Sequence, residues 1–225
     1  SDEFGHEEKL DGSPLTLADT KSNEVILSAL KEISPEIPII SEETFNEKHL
    51  SSLSETYWLV DPLDGTKEFI NKTDEFTVNI ALINNKKVIF GIVGAPVTGK
   101  IWHGSIFDNN EYDSKSVEKL RIVMSKSHKS DNDKAFLEYL ISNNIDYEII
   151  EKGSSLKLCS LADSEADIYP RFGPTSEWDI AAGHIILEEA GGKLKSFDNT
   201  DILYNTKENI INPNFLAYGN VSKLN

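Results

Sequence analysis

Hydrophobic and polar positions change period several times along the 225 residues, and each change predicts an element. Over 19–33, Val25, Ile26, Ala29, Leu30 and Ile33 recur at helical spacing, with Asp19 or Thr20 placed to cap the helix. Pro35 and Pro38 stop it. The short apolar runs "IPIIS" (37–41) and "YWLVD" (57–61) read as strands, and "TKEFINK" (66–72) as a helical turn. "EFTVNIALI" and "VIFGIVGAP", joined by the polar turn "NNKK", read as antiparallel strands that "KIWHGSI" extends. Residues 107–119 are polar, follow neither period and read as a linker. Beyond them the strand-like segments "LRIVMS", "DYEIIE", "ADIYPRF" and a last strand, "GKLKSF", alternate with helix-like segments at 130–144, 154–164 and 177–191. The pattern predicts an α+β half over 1–118 and an α/β half over 119–225, tightly packed.

Composition narrows what such a chain does. The formal charge is −16, which repels nucleic acid and anionic membranes, so neither is expected as a partner. An anionic substrate would need local cations to overcome that field. No apolar run approaches the length of a membrane span, and the acidic, polar start carries no signal-peptide pattern. Cys159 is the single cysteine, which excludes a disulfide within the chain. A cytoplasmic location is the expectation.

The chemistry gathers at apolar strand ends. "YWLVDPLDGTKEFI" (57–70) sets Asp61 and Asp64 three residues apart around Pro62 and Leu63. Two carboxylates and a peptide carbonyl are hard oxygen donors, suited to Mg²⁺ or Mn²⁺. Gly65 and Thr66 would open a helix whose free N–H groups suit a phosphate. Taken alone, the stretch reads equally well as a Pro-Asp-Gly turn with Asp64 as a helix cap. Glu42 and Glu43 follow "IPII", and Asp179 stands among the small residues of "EWDIAAG". Each alone is an ordinary strand exit or helix start.

In order along the chain, Asp19, "SEE" (41–43), "DPLDGT" (61–66) and "WDIAAG" (178–183) resemble the signatures of the magnesium-dependent, lithium-sensitive phosphomonoesterases of the inositol monophosphatase superfamily. "KEFI" after "DGT", together with "SKSH" (125–128), "GSSLK" (153–157) and "YPRFGPTSEWDIAAGH" (169–184), is similar to the 3′(2′),5′-bisphosphate nucleotidases of the CysQ type. The resemblance implies a layered α-β-α-β-α sandwich. It also implies hydrolysis of the 3′-phosphate of adenosine 3′,5′-bisphosphate to AMP and phosphate. Two or three Mg²⁺ ions, with Mn²⁺ as a possible substitute, would be held by Glu42, Asp61, the Leu63 carbonyl, Asp64 and Asp179. Asp19 and Thr66 would orient and help deprotonate the attacking water, Glu42 would join them as a catalytic residue with a weakly held third ion near it through waters, and Gly65 and Thr66 would bind the scissile phosphate. Glu43 would stand behind the ligands. A small-molecule nucleotide bisphosphate is the implied partner, held by Ser125, Ser127, His128, Gly153, Ser154, Ser155, Lys157, Tyr169 and Arg171.

Other readings compete. Within the superfamily they are inositol monophosphatase and fructose-1,6-bisphosphatase activity. A non-catalytic metal-binding protein is more remote. A haloacid-dehalogenase-type phosphatase needs one residue between its two aspartates, and here there are two.

Overall fold

The computed structural model describes residues 7–8, 14–107, 114–126 and 130–224. Two short strands, β1 (Glu7–Glu8) and β2 (Pro14–Leu15), pair ahead of helix α1 (Leu17–Ile33). Then come β3 (Ile39–Ser41), 3-10 turns at Glu42–Thr44 and Glu47–Ser52, β4 (Thr56–Asp64) and the short helix α2 (Thr66–Ile70). Strands β5 (Thr77–Asn84), β6 (Lys87–Ala95) and β7 (Lys100–Ser105) complete a five-stranded sheet in the order β3-β4-β5-β6-β7, antiparallel except for the β3–β4 pair.

After β8 (Lys115–Val117) the chain alternates: β9 (Leu120–Met124), α3 (Asp131–Ser142), β10 (Tyr147–Glu151), α4 (Leu156–Ala162), β11 (Ile168–Arg171), α5 (Glu177–Glu189) and β12 (Lys193–Ser196). It ends in β13 (Phe215–Tyr218) and β14 (Val221–Leu224). The second sheet has the order β10-β9-β11-β13-β12.

The layers follow from which faces are apolar. Strand β5 alternates: Thr77, Asn79, Ala81 and Ile83 are buried on one face, and Val78, Ile80 and Leu82 lie on the other. The second face packs with Trp58 and Val60 against Ile26 and Leu30 of α1. The first packs with Leu59 against α5, whose Ile180, Ala181 and Ile185 belong to the main core. Helices α4 and α5 fill the space between the sheets, and α3 covers the outer face of the second sheet through Leu140. The result is the five-layer α-β-α-β-α sandwich.

Helix α5 is hydrophobic almost all round, as a helix covered on both sides must be. Two glycines let it lie directly on strand backbones. A Cβ at Gly91 would stand 2.7 Å from the Ala182 carbonyl oxygen, and one at Gly104 2.7 Å from the Ile186 Cα. Helix α5, from the second half of the sequence, is thereby seated on the first sheet with little freedom to shift.

Several expectations change. Helix α1 is capped by Thr16, and Asp19 is its third helical residue; Val25 and Ile33 face solvent. The spacing was helical, but the buried stripe runs through Asp19, Asn23, Ile26 and Leu30, so two polar residues stand where apolar ones mark a face. The linker contains β8, which pairs with β14. "GKLKSF" is not the last strand: β13 inserts between β11 and β12, antiparallel to both.

Candidate active site

Strand β4 carries the centre. Asp61 pairs with Asn79 and Asp64 with Thr77, so three steps on β4 match two on β5. Residues three apart on a regular strand point to opposite faces. The bulge at Pro62 and Leu63 adds the extra residue and returns Asp64 to the face of Asp61. Pro62, with no N–H to give a ladder, sits where the ladder breaks. That face is the one toward α5, in the row begun by Tyr57 and Leu59.

Three carboxylates meet there. Glu42, at the end of β3, Asp61 and Asp179 each offer an oxygen within 4.8 Å of the others. Asp179 is the third residue of α5 and closes a capping box with Ser176, whose N–H donates to Asp179 Oδ2 at 2.8 Å. Asp61 Oδ1 takes the Leu63 N–H at 3.0 Å. Burial pushes the carboxyls of Asp61 and Asp179 well above the usual range, and neighbouring carboxylates push further: Glu42 and Asp64 at both sites, and Asp179 at Asp61. Asp64 is pushed up to about 6 by burial, against the pull of the Lys157 cation and hydrogen bonds from Ser155 and Asn79. Buried like charges at this spacing, built wholly of hard oxygen donors, are what a small divalent cation neutralises. The residues fit such an ion.

Asp19 is fully buried beside them. Its Oδ2 accepts the Thr16 N–H at 2.7 Å and Thr16 Oγ1 at 2.6 Å, and its Oδ1 accepts Thr66 Oγ1 at 3.1 Å. The capping box that starts α1 therefore also aims Asp19 at Thr66. Thr66 Oγ1 also lies 3.3 Å from the Leu63 carbonyl. Gly65 precedes α2 at φ +91°, a left-handed conformation open to glycine, and turns the chain from strand into helix. Ser22 Oγ donates to the Pro62 carbonyl at 2.7 Å, and Ser41 Oγ to Asn23 Oδ1 at 2.7 Å, tying α1 to both carboxylate-bearing strands.

Thr16→Val keeps the shape and removes the hydroxyl that caps α1 and holds Asp19. The expected result is about 1 kcal/mol less stability by urea unfolding, with kcat lowered more than KM. An unchanged kcat would show that the Thr16 N–H alone keeps Asp19 in place.

A cavity opens beside the carboxylates. Asp64, Gly65, Ser125, Lys157, Tyr169, Arg171 and Asp179 are among its lining residues. Lys157 is buried, donates to the Ser154 carbonyl at 2.6 Å and is lowered to about 8, mainly by burial. Arg171 donates to the Gly173 and Pro174 carbonyls at 3.1 and 2.9 Å, which fixes its guanidinium. Burial raises the Tyr169 phenol.

Two expected substrate donors are spent inside the protein. The Gly153 N–H goes to Glu75 Oε2 at 3.0 Å. The Ser155 N–H goes to Asp64 Oδ2 at 2.6 Å, and its hydroxyl to Asn79 Oδ1 at 2.7 Å. Ser155 belongs to the wall of the cavity, and Gly153 is not among its lining residues. Ser154, at φ 44°, lines the cavity with a buried Oγ that has no hydrogen-bond partner among the described residues. Ser127 and His128 lie outside the described residues. The structure adds Glu68 and Thr175 to the cavity wall. Thr175 stands in the quoted "YPRFGPTSE" stretch, and Glu68 in "KEFI", which gave the residues but not their direction.

The likeness to known proteins is extensive. The profile described as the inositol monophosphatase family matches residues 1–223. The 3′(2′),5′-bisphosphate nucleotidase CysQ of Salmonella typhimurium is 40% identical over 215 residues, covering 92% of this chain and 86% of that protein. The protein of the same name from Buchnera aphidicola is 40% identical over 221 residues, covering 93% of this chain and 82% of its own. Among solved structures, CysQ from Bacteroides thetaiotaomicron, described as a bacterial member of the inositol monophosphatase family, superposes with a TM-score of 0.79 at 32% identity, over 95% of this chain and 88% of its own.

Proposed function

The chain belongs to the inositol monophosphatase family, and from that premise we propose that it is a 3′(2′),5′-bisphosphate nucleotidase that hydrolyses the 3′-phosphate of adenosine 3′,5′-bisphosphate to AMP. One observation carries the reading: Glu42, Asp61 and Asp179 offer oxygens within 4.8 Å of one another, and Asp179, with Asp64, also lines a cavity that holds Lys157 and Arg171. A cation centre faces one phosphate, and fixed side-chain cations await a second. The names of the relatives support the same substrate class.

Glu42, Asp61, the Leu63 carbonyl, Asp64 and Asp179 would hold Mg²⁺, two or three ions, with Mn²⁺ as a substitute. Bound there, the ions would neutralise phosphate charge and acidify a water. Thr66 Oγ1 takes the hydrogen bond of the attacking water and passes its own proton toward Asp19 Oδ1, to which it already donates. The N–H groups of Gly65 and Thr66 bind the scissile phosphate. Lys157, Arg171 and Tyr169 bind the rest of the nucleotide, Lys157 as a desolvated cation that is strong toward a phosphate because water does not screen it. A net charge of −16 makes these cations necessary. Action in the cytoplasm belongs to the same reading: Cys159 is the single cysteine and is buried, and among the described residues no helix is long and apolar enough to cross a membrane.

The test is phosphate release from adenosine 3′,5′-bisphosphate, inositol 1-phosphate and fructose 1,6-bisphosphate, with Mg²⁺ or EDTA and with or without Li⁺. Expected are preference for the nucleotide, dependence on Mg²⁺ and inhibition by Li⁺. Equal or better turnover of a sugar phosphate would move the chain to another branch of the family. Turnover of none would leave a metal-binding protein.

A further inference from the structure

Three buried polar side chains beside the carboxylates have no part in the reaction as derived. Thr77 and Asn79 project from β5 toward the middle helical layer, in the row continued by Ala81 and Ile83, and Ser155 meets them from the start of α4. Thr77 is 0% and Asn79 1% exposed. An unpaired polar group there would be costly, because neither water nor protein would satisfy it. These groups are paired, and the direction of the pairing is fixed. Asn79 Oδ1 can only accept, so Ser155 Oγ donates to it at 2.7 Å. That uses the one hydroxyl proton of Ser155, so Thr77 Oγ1 donates to Ser155 Oγ at 2.7 Å. The amide nitrogen of Asn79 then faces Asp64 Oδ2 at 3.4 Å, the oxygen that also takes the Ser155 N–H at 2.6 Å. A flipped amide would set its oxygen against Asp64 Oδ2, acceptor facing acceptor. The donors therefore run one way, from Thr77 through Ser155 and Asn79, and end on a single oxygen of Asp64. None of these bonds uses Asp64 Oδ1.

We infer that Asn79 and Thr77 are positioning residues of the cation centre: through Ser155 they lock Asp64 in one orientation and tie it to the 153–155 loop beside the nucleotide cavity. The inference rests on Asp64 being a cation ligand. Its physical content is that Asp64 is ready for an ion only while that loop is seated, because Ser155 belongs to the loop and supplies the shortest bond to the carboxylate. Glu75 pins the same loop through the Gly153 N–H, which keeps Ser155 within reach.

The test uses calorimetric titration of Mg²⁺ and Mn²⁺ into the full chain without substrate, beside kcat and KM for the nucleotide. Asn79→Leu removes the amide at similar size, Thr77→Val removes only the hydroxyl, and Thr77→Ser keeps it. Asn79→Leu is expected to weaken cation binding by roughly 10–100-fold, the usual effect of removing a group that orients a ligand, and to lower kcat with KM little changed. Thr77→Val should move both in the same direction by less, and Thr77→Ser should restore them. Wild-type cation affinity in folded Asn79→Leu and Thr77→Val proteins would overturn the inference, as would a folded Thr77→Ser protein as impaired as Thr77→Val. If Asn79→Leu does not fold, the Thr77 pair decides. A wild-type chain that binds no divalent cation would instead remove the metal reading of the whole site, a failure distinct from this one.

Discussion

Asp61→Asn is expected to lower turnover roughly a thousandfold or more while leaving the fold intact, since a cation's charge stabilisation is worth several kcal/mol and each 1.4 kcal/mol is about tenfold in rate. The residue is 1% exposed and stands among Glu42, Asp64 and Asp179. Asparagine keeps the shape and an oxygen for the Leu63 N–H, but loses the charge. The stability side has a definite sign. Burial, then repulsion from Glu42, raises the Asp61 carboxyl above its ordinary range, so its ionised form is unfavourable in the folded state without a cation. That penalty is fully present above the raised folded value and shrinks as pH falls below it toward the ordinary carboxylate range. In EDTA near pH 7 the variant should therefore unfold at or above the wild-type temperature, and the gap should close as pH falls. With Mg²⁺ the wild type should gain stability by mass action and the variant much less. Thermal unfolding with EDTA and with Mg²⁺, beside phosphate release, checks both halves. Retained turnover would remove Asp61 from the metal centre.

Lys157→Met should raise KM for the nucleotide roughly 10–100-fold, since hydrogen bonds to a charged group contribute about 1.5–3 kcal/mol. The lysine is buried, and its ammonium is lowered to about 8 chiefly by that burial, partly offset by Asp64. Methionine has similar length and no charge to desolvate. A lysine whose folded value lies below its unfolded one is a burden to the fold while it is charged. The burden is fully present below about pH 8 and is relieved as pH rises toward the ordinary lysine range. The variant should thus match or exceed wild-type stability at pH 7, with the advantage shrinking above pH 8. Wild-type KM should climb over the same interval as the cation is lost. Denaturant unfolding and steady-state kinetics from pH 6.5 to 10 measure both. A KM that does not respond to the substitution would place the second phosphate elsewhere.

Much of this protein was legible in the sequence because its signals are local. Strands β3 to β7 and helices α3 to α5 follow from apolar runs, alternation and helix-like stretches within single segments. The chemistry-bearing residues sit in short ordered motifs, and Asp19, Glu42, Asp61, Asp64, Thr66 and Asp179 could be named without coordinates. The carboxylates are hard oxygen donors that suit a cation, and the sequence favoured that use over turns and helix caps only when the motifs were taken in order.

Only the tertiary structure decided how those residues are used. The bulge that brings Asp61 and Asp64 to one face depends on the pairing with β5. Asp64 receives its shortest hydrogen bond from Ser155, 91 residues away, and that bond removes Ser155 from the free donors. Thr77 and Asn79 occupy strand positions that an alternation pattern marks simply as inward-facing, and their partners arrive with α4. Strand β13 finds its place between β11 and β12 through partners distant in sequence. The physical reason is the same in each case: a residue's period is set by its neighbours along the chain, whereas its hydrogen-bond partner is set by whichever segment the packed layers bring beside it.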